Sequence, residues 1–274
     1  MGDAEFRRVA VIAAMPGELL HLARGWKHEK RGGGVHLWQT KQGDAEWVAA
    51  CAGAGQAAAT RAFAEVEKDG PVSGAISTGW VGALTSEFVP GRVYAVAGVI
   101  DANTGERFEA GEAVLANGGL PKAPSSWRKQ AGPGGKNEAC EKDAGADSPQ
   151  APQPKPWVIT SAKVAGIEEK RRLAGTYGAG LVDMEAAAVA RMAAMRGISF
   201  LCIKGVSDGH AARLPDFNRF LSPEGQFQLA RFIFFAILRP WHWPELMRMS
   251  ENSSKASQAL RDSLLENLRR TGAY

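Results

Sequence analysis

The sequence predicts an α/β fold with a mainly parallel sheet covered on both faces. Three observations carry this. Short apolar runs without polar interruption recur along the chain. Segments with helical spacing alternate with them. Turns of small residues close the runs at 13–17, 53–55, 79–82 and 207–209. A parallel strand is buried on both faces, so it reads as a continuous apolar run rather than an alternating one. Ligands in such sheets bind beyond the carboxyl ends of the strands. These turns are therefore where a site is expected.

Residues 9–14 read as a buried strand, and residues 47–52 as a second one ending at Gly53-Ala-Gly55. Residues 57–66 have helical spacing. A short strand at 74–78 ends at Gly79, and a longer one covers 93–100. The second half begins with a strand at 157–160 and a helix at 168–177. Asp183 then caps a helix that stops at Gly197, and residues 199–203 form a late buried strand. Both halves supply strands to one sheet, so residues 1–250 are expected to form one domain. Leucines at 260, 264, 265 and 268 predict an amphipathic C-terminal helix within 251–274, docked on its own domain or on a partner subunit.

The stretch 111–156 interrupts this pattern. Seven of the chain's 14 prolines fall between Pro121 and Pro156, and few large apolar residues accompany them. Such a segment cannot offset the entropy of ordering itself, so a mobile insertion is expected. The segment 232–238 is very apolar but is bracketed by Arg231 and Arg239. It is too short to cross a bilayer, which needs about 20 residues. A buried helix turn is the simplest reading. Contact with a membrane surface or a partner through 232–243 is the sharper one, because Trp241 and Trp243 follow directly.

Composition sets outer limits. The chain has 274 residues, 45% of them hydrophobic and 23% charged, with a net charge of +4. No basic stripe interleaved with aromatics is present, so no nucleic-acid partner is expected. Cys51 and Cys202 lie in apolar runs and read as core residues, and an odd, sparse cysteine count argues against a disulfide framework. The first residues lack the charged-then-apolar layout of a signal peptide, which makes the cytoplasm the expected compartment. No His/Cys cluster suggests a metal or cofactor, and His210 reads as a loop or pocket-wall residue.

Three acids stand at the predicted strand ends. Glu185 begins a helix next to Ala186, Ala187 and Ala188, whose small side chains permit tight packing on the sheet. A carboxylate there can accept two hydrogen bonds from a vicinal diol such as that of ribose, each contributing about 1.5–3 kcal/mol. Ser207-Asp208 follows the late strand after a short turn. Asp208 would serve as a general acid if partial burial raised its pKa from about 3.9 toward neutrality. Glu18 follows the first strand in Ala13-Ala-Met-Pro-Gly-Glu18, where it is either an exposed first-turn acid or a general base facing the strand ends.

Ala14-Met15 with Glu18, Ser77-Thr-Gly-Trp-Val-Gly82, Val182-Asp-Met-Glu185 and Gly205-Val-Ser-Asp208 occur in one order along residues 8–220. In this the chain resembles the nucleoside phosphorylase and nucleosidase superfamily, nearest to the 5'-methylthioadenosine/S-adenosylhomocysteine nucleosidases. The resemblance implies a three-layer α/β/α fold with a central mixed, mainly parallel sheet, and cleavage of a purine nucleoside. It implies that Asp208 protonates the purine and that Ser207 orients Asp208. Glu185 would hold the ribose hydroxyls with Met184 against the sugar, and Glu18 would activate water. Ala14, Met15, Trp80, Val81 and Gly82 would line the pocket, and Phe217 would cover the ribose 5' group. No cofactor and a homodimer are also implied. Trp80 stands where a small serine is usual, Lys204 where arginine is frequent, and the aromatic that stacks on adenine is missing around 164–166.

Phosphorolysis needs a site for phosphate, and the loops 13–17 and 79–83 contain no arginine. Glu18 would repel that anion, so hydrolysis is favoured. A nucleosidase or phosphorylase for a lipid-linked nucleoside such as adenosylhopane is a rival within the fold, motivated by 232–243. A nucleoside-binding module that has lost catalysis is a rival of a different functional class, motivated by Trp80 and the missing aromatic.

Overall fold

The computed structural model describes residues 7–42, 45–113 and 156–271. Their twelve strands form one mixed sheet. The first half contributes β1 (Arg7–Ala13), β2 (Lys27–Arg31), β3 (Val35–Gln42), β4 (Ala45–Cys51), β5 (Gly74–Ser77), β6 (Trp80–Ala83), β7 (Val93–Ala95), β8 (Gly98–Asp101) and β9 (Arg107–Glu109). The second half contributes β10 (Trp157–Thr160), β11 (Leu181–Asp183) and β12 (Ser199–Asp208). The helices are α1 (Pro16–Leu19), α2 (Gln56–Glu67), α3 (Ile167–Tyr177), α4 (Ala186–Arg196), α5 (Leu229–Ile237) and α6 (Trp243–Thr271).

The sheet order is β2-β3-β4-β1-β5-β12-β6-β11-β10-β8-β9, with β7 paired to β12 beside this path. Strands β4, β1, β5, β12 and β6 run parallel, as do β11, β10 and β8. The two sets meet antiparallel where β6 pairs with β11. Consecutive side chains of β1 point to opposite faces. Ala10 and Ile12 pack with α2 and α4, whereas Val9, Val11 and Ala13 pack with Leu19, Leu260 and Leu264. Helices therefore cover both faces, as the resemblance implies.

Several expectations are corrected. Residues 93–100 form two strands, because the chain leaves β12 at Ala95 and joins β10 at Gly98. The late strand does not end at 203; it continues through Ser207 and Asp208 by changing partner from β5 to β6. The expected turn 79–82 contains strand β6. Strand β2 is a charged, largely exposed edge, so no apolar run announces it. Helix α6 begins at Trp243, well before residue 251, and packs on β12 of its own sheet. The apolar 232–238 segment is not a buried turn: no residue of α5 is buried. Most of the proline-rich stretch expected at 111–156 lies outside the described residues. Cys51 and Cys202 are buried free thiols, both pushed up to about 12, chiefly by burial.

Candidate active site

Glu18 is delivered by a tight turn after β1. Its Oε2 accepts hydrogen bonds from the backbone N–H groups of Ala14 and Met15, both at 2.8 Å. Its Oε1 accepts from the N–H of Trp80 at 2.7 Å. Gly79 makes this approach possible: its φ is +112°, and a Cβ there would lie 2.7 Å from Glu18 Oε1. Glu18 is buried rather than an exposed first-turn acid. Burial raises its pKa, and the three backbone hydrogen bonds and the charge of Lys204 only partly offset this.

Glu185 sits at the cap position of α4, and its own backbone departs from helical geometry. Asp183, the last residue of β11, supplies the capping carboxylate through Oδ2, which accepts from Ala186 N at 2.9 Å. Glu185 Oε1 accepts from Gly55 N at 2.6 Å, and Oε2 from Met184 N at 3.3 Å. Each oxygen retains a lone pair for a ligand hydroxyl. Burial, then the neighbouring Asp183 and Glu18 charges, push Glu185 up to about 8, against the pull of Lys204.

Lys204 is the buried cation among these acids. Its Nζ is 2.9 Å from Asp183 Oδ2 and donates to Thr78 O at 3.0 Å. Burial alone would lower its pKa, but Asp183 chiefly, with Cys202 and Glu185, raises it instead. Asp183 also accepts from Thr160 Oγ1 at 2.7 Å. Lys204 thus pairs with Asp183 and partly offsets the burial that raises the pKa of both Glu18 and Glu185.

Asp208 ends β12. Ser207 Oγ donates to Asp208 Oδ1 at 2.7 Å, and Lys170 Nζ of α3 pairs with Oδ2. Lys170 Nζ also donates to Gly209 O at 2.8 Å. Gly82 lies beneath this pair, where a Cβ would be 3.2 Å from both Asp208 Oδ2 and Lys170 Nζ. Trp80 N thus holds Glu18, and Gly82, two residues along β6, faces Asp208. Two residues of a strand span about 7 Å.

The remaining predicted residues fall around this frame. Ala14, Met15 and Met184 contribute backbone N–H groups to Glu18 and Glu185. Val81 O lies 3.2 Å from Ser207 Oγ. Trp80, expected to line the pocket, donates its indole Nε1–H to Ser257 Oγ on α6 at 2.9 Å. Phe217 lines a cavity of about 780 Å³ with Val164, Ala165, Ile167 and Asn218. Asp208 and Ser207 line a separate cavity of about 390 Å³ with Phe88, Pro90 and His210. Glu18 and Glu185 line neither. Sequence reasoning missed Lys170, since a lysine in a charged helix carries no signal of its partner. It also missed the N–H of Gly55, although the small-residue turn at 53–55 marked the place. Among the described residues no three His, Cys, Asp or Glu side chains gather as metal ligands.

The sequence profile of the family described as "Phosphorylase superfamily" matches residues 8–239. No curated protein matches the chain. Solved structures with the same fold include the Helicobacter pylori 5'-methylthioadenosine/S-adenosylhomocysteine nucleosidase, 13% identical with a TM-score of 0.64, covering 97% of this chain and 99% of that one. Futalosine hydrolase of the same organism is 13% identical with a TM-score of 0.61, covering 95% and 98%. The Arabidopsis thaliana 5'-methylthioadenosine nucleosidase is 15% identical with a TM-score of 0.61, covering 98% and 97%.

Proposed function

The chain belongs to the phosphorylase superfamily, and we propose that it hydrolyses the N-glycosidic bond of a purine nucleoside. One observation carries the choice of water over phosphate. The backbone N–H groups of Ala14, Met15 and Trp80 converge as an anion-binding nest would, and the Glu18 carboxylate already occupies them. A phosphate dianion entering there would displace a buried acid or meet its charge.

In this reading Glu185 accepts hydrogen bonds from the ribose hydroxyls with its two remaining lone pairs. Glu18 takes a proton from the attacking water, whose oxygen bonds to C1' of the sugar. The bond from C1' to the base breaks, and its electron pair goes to the base. The Lys170–Asp208 pair delivers a proton to a purine ring nitrogen, making the base a neutral leaving group. The nucleosidase and futalosine hydrolase neighbours support N-glycosidic hydrolysis as the reaction class.

A second reading, cleavage of a lipid-linked nucleoside, is favoured by one observation. Phe217 joins its cavity to α5, whose outer face is apolar.

The test is incubation with methylthioadenosine, S-adenosylhomocysteine, adenosine and inosine, with and without phosphate, reading free base. Release without phosphate that Asp208→Asn abolishes supports hydrolysis. No release from any purine nucleoside overturns the proposal, and a strict phosphate requirement replaces it with phosphorolysis.

A further inference from the structure

Helix α5 has two unlike faces, both apolar. Phe232 and Phe235 turn inward: Phe232 lies 5.5 Å from Phe217, and Phe235 lies 5.1 Å from Phe220, ring centre to ring centre. Ile233, Phe234, Ile237 and Leu238 turn outward, with Phe234 66% exposed. The turn that follows adds Trp241, 68% exposed, and Trp243. Trp243 Nε1 donates to Ala236 O at 2.8 Å, and the Arg239 guanidinium lies 4.3 Å above the Phe235 ring. The segment is therefore a braced surface rather than a loose one. Exposed apolar patches of this kind mark interaction sites.

Charge decides between occupants. From Gly225 to Pro244 there is no acidic residue, while Arg231, Arg239 and His242 are present. A second copy of the chain seated here about a two-fold axis would bring arginines toward arginines. An anionic lipid surface complements them, and tryptophan beside arginine suits the interface between headgroups and acyl chains. The nine-residue α5 is about 14 Å long, less than half a hydrocarbon core. No helix among the described residues is long and apolar enough to cross a membrane. The segment would therefore lie on a bilayer.

We propose that α5 and the tryptophan turn after it form a docking face for an anionic membrane surface. Docking there would place the Phe217 cavity next to the lipid, because the inner face of α5 packs on the Phe217–Phe220 turn. The proposal stands whether or not the chain cleaves a nucleoside.

Its test is flotation of the purified full chain with vesicles of phosphatidylcholine alone or mixed with phosphatidylglycerol. The chain is expected to float with the mixed vesicles, less with phosphatidylcholine alone and less at high salt. Phe234→Ser/Ile237→Ser should weaken flotation by about tenfold or more. Arg231→Gln/Arg239→Gln should remove its salt sensitivity. These side chains are exposed, so the circular dichroism spectrum should not change; Trp241→Ser, equally weakened, supports the same conclusion if the double variant misfolds. Three results would overturn the proposal: no flotation with either vesicle, flotation indifferent to all these substitutions, or a solution dimer that Phe234→Ser/Ile237→Ser converts to monomer.

Discussion

Lys170 Nζ and Asp208 Oδ2 form an ion pair in which the lysine is buried and the acid opens onto a cavity. The acid at the end of β12 therefore has both carboxyl oxygens engaged. Ser207 fixes one carboxyl oxygen and Lys170 the other, and a backbone carbonyl at Gly209 fixes the lysine. Lys170→Met is expected to lower the rate of base release at saturation by about 10²-fold, within the usual range for losing an acid–base partner. KM should change much less. Initial rates across substrate concentration read both, and an unchanged rate would remove Lys170 from the proton path.

Glu185 gives a pH dependence with a defined sign. Its folded-state pKa of about 8 lies above the ordinary 4.5. Its contribution to stability is thus fully present below pH 4.5 and is lost as pH rises through about 8. Glu185→Gln should therefore melt higher than the wild type at pH 9, and the difference should narrow toward pH 4.5. If the ribose hydroxyls donate to an ionised Glu185, nucleoside affinity in the wild type should also rise as pH increases through 8. Thermal melts and binding isotherms at both pH values check this.

Glu18 is the water-activating base in this account, and a base must be ionised. Since burial raises its pKa, the turnover rate should climb with pH through that raised value. Glu18→Gln should cut turnover by about 10²–10⁴-fold while nucleoside binding persists. A rate profile combined with equilibrium binding separates the two effects.

Gly79 tests the positioning of Glu18 without touching its chemistry. With φ at +112° and the Glu18 carboxylate 2.7 Å from where a Cβ would stand, Gly79→Ala meets both backbone strain and a clash. A loss of about 1–3 kcal/mol in unfolding free energy is expected, together with a fall in turnover. Denaturant melts and initial rates measure it.

Helix α6 is held on the sheet by Ala256, Leu260 and Leu264, all buried. Leu260→Ala should destabilise the fold by about 2–5 kcal/mol through lost burial and the cavity left behind. Leu265→Ala, only partly buried, should cost less. Denaturant unfolding of the two variants gives the comparison.

The alternation of apolar runs and helical segments was enough to read the α/β class, because doubly covered strands leave no polar residues inside them. Glu18 and Asp208 stand out in the sequence because each lies at a small-residue turn near a strand end, and Glu185 because it opens a helix beside Ala186, Ala187 and Ala188. What the sequence hid were relationships rather than residues. Lys170 sits in a charged helix face, and only the fold brings it to Asp208. Lys204 lies just past the apolar run 199–203, and nothing in the sequence points to Asp183, 2.9 Å away in the fold. Strand β2 was invisible because an exposed edge needs no apolar run. The outer face of α5 misled for the opposite reason: apolar composition signals burial only when something covers it.

The central claim is that water attacks the sugar in the site built by Glu18, Glu185 and the Lys170–Asp208 pair. The most direct measurement is mass spectrometry of the sugar released from a purine nucleoside in ¹⁸O-enriched water free of phosphate. The account predicts free base and one ¹⁸O atom in the released sugar, both lost in Glu18→Gln. A sugar phosphate formed only when phosphate is added, or no free base under either condition, would contradict it.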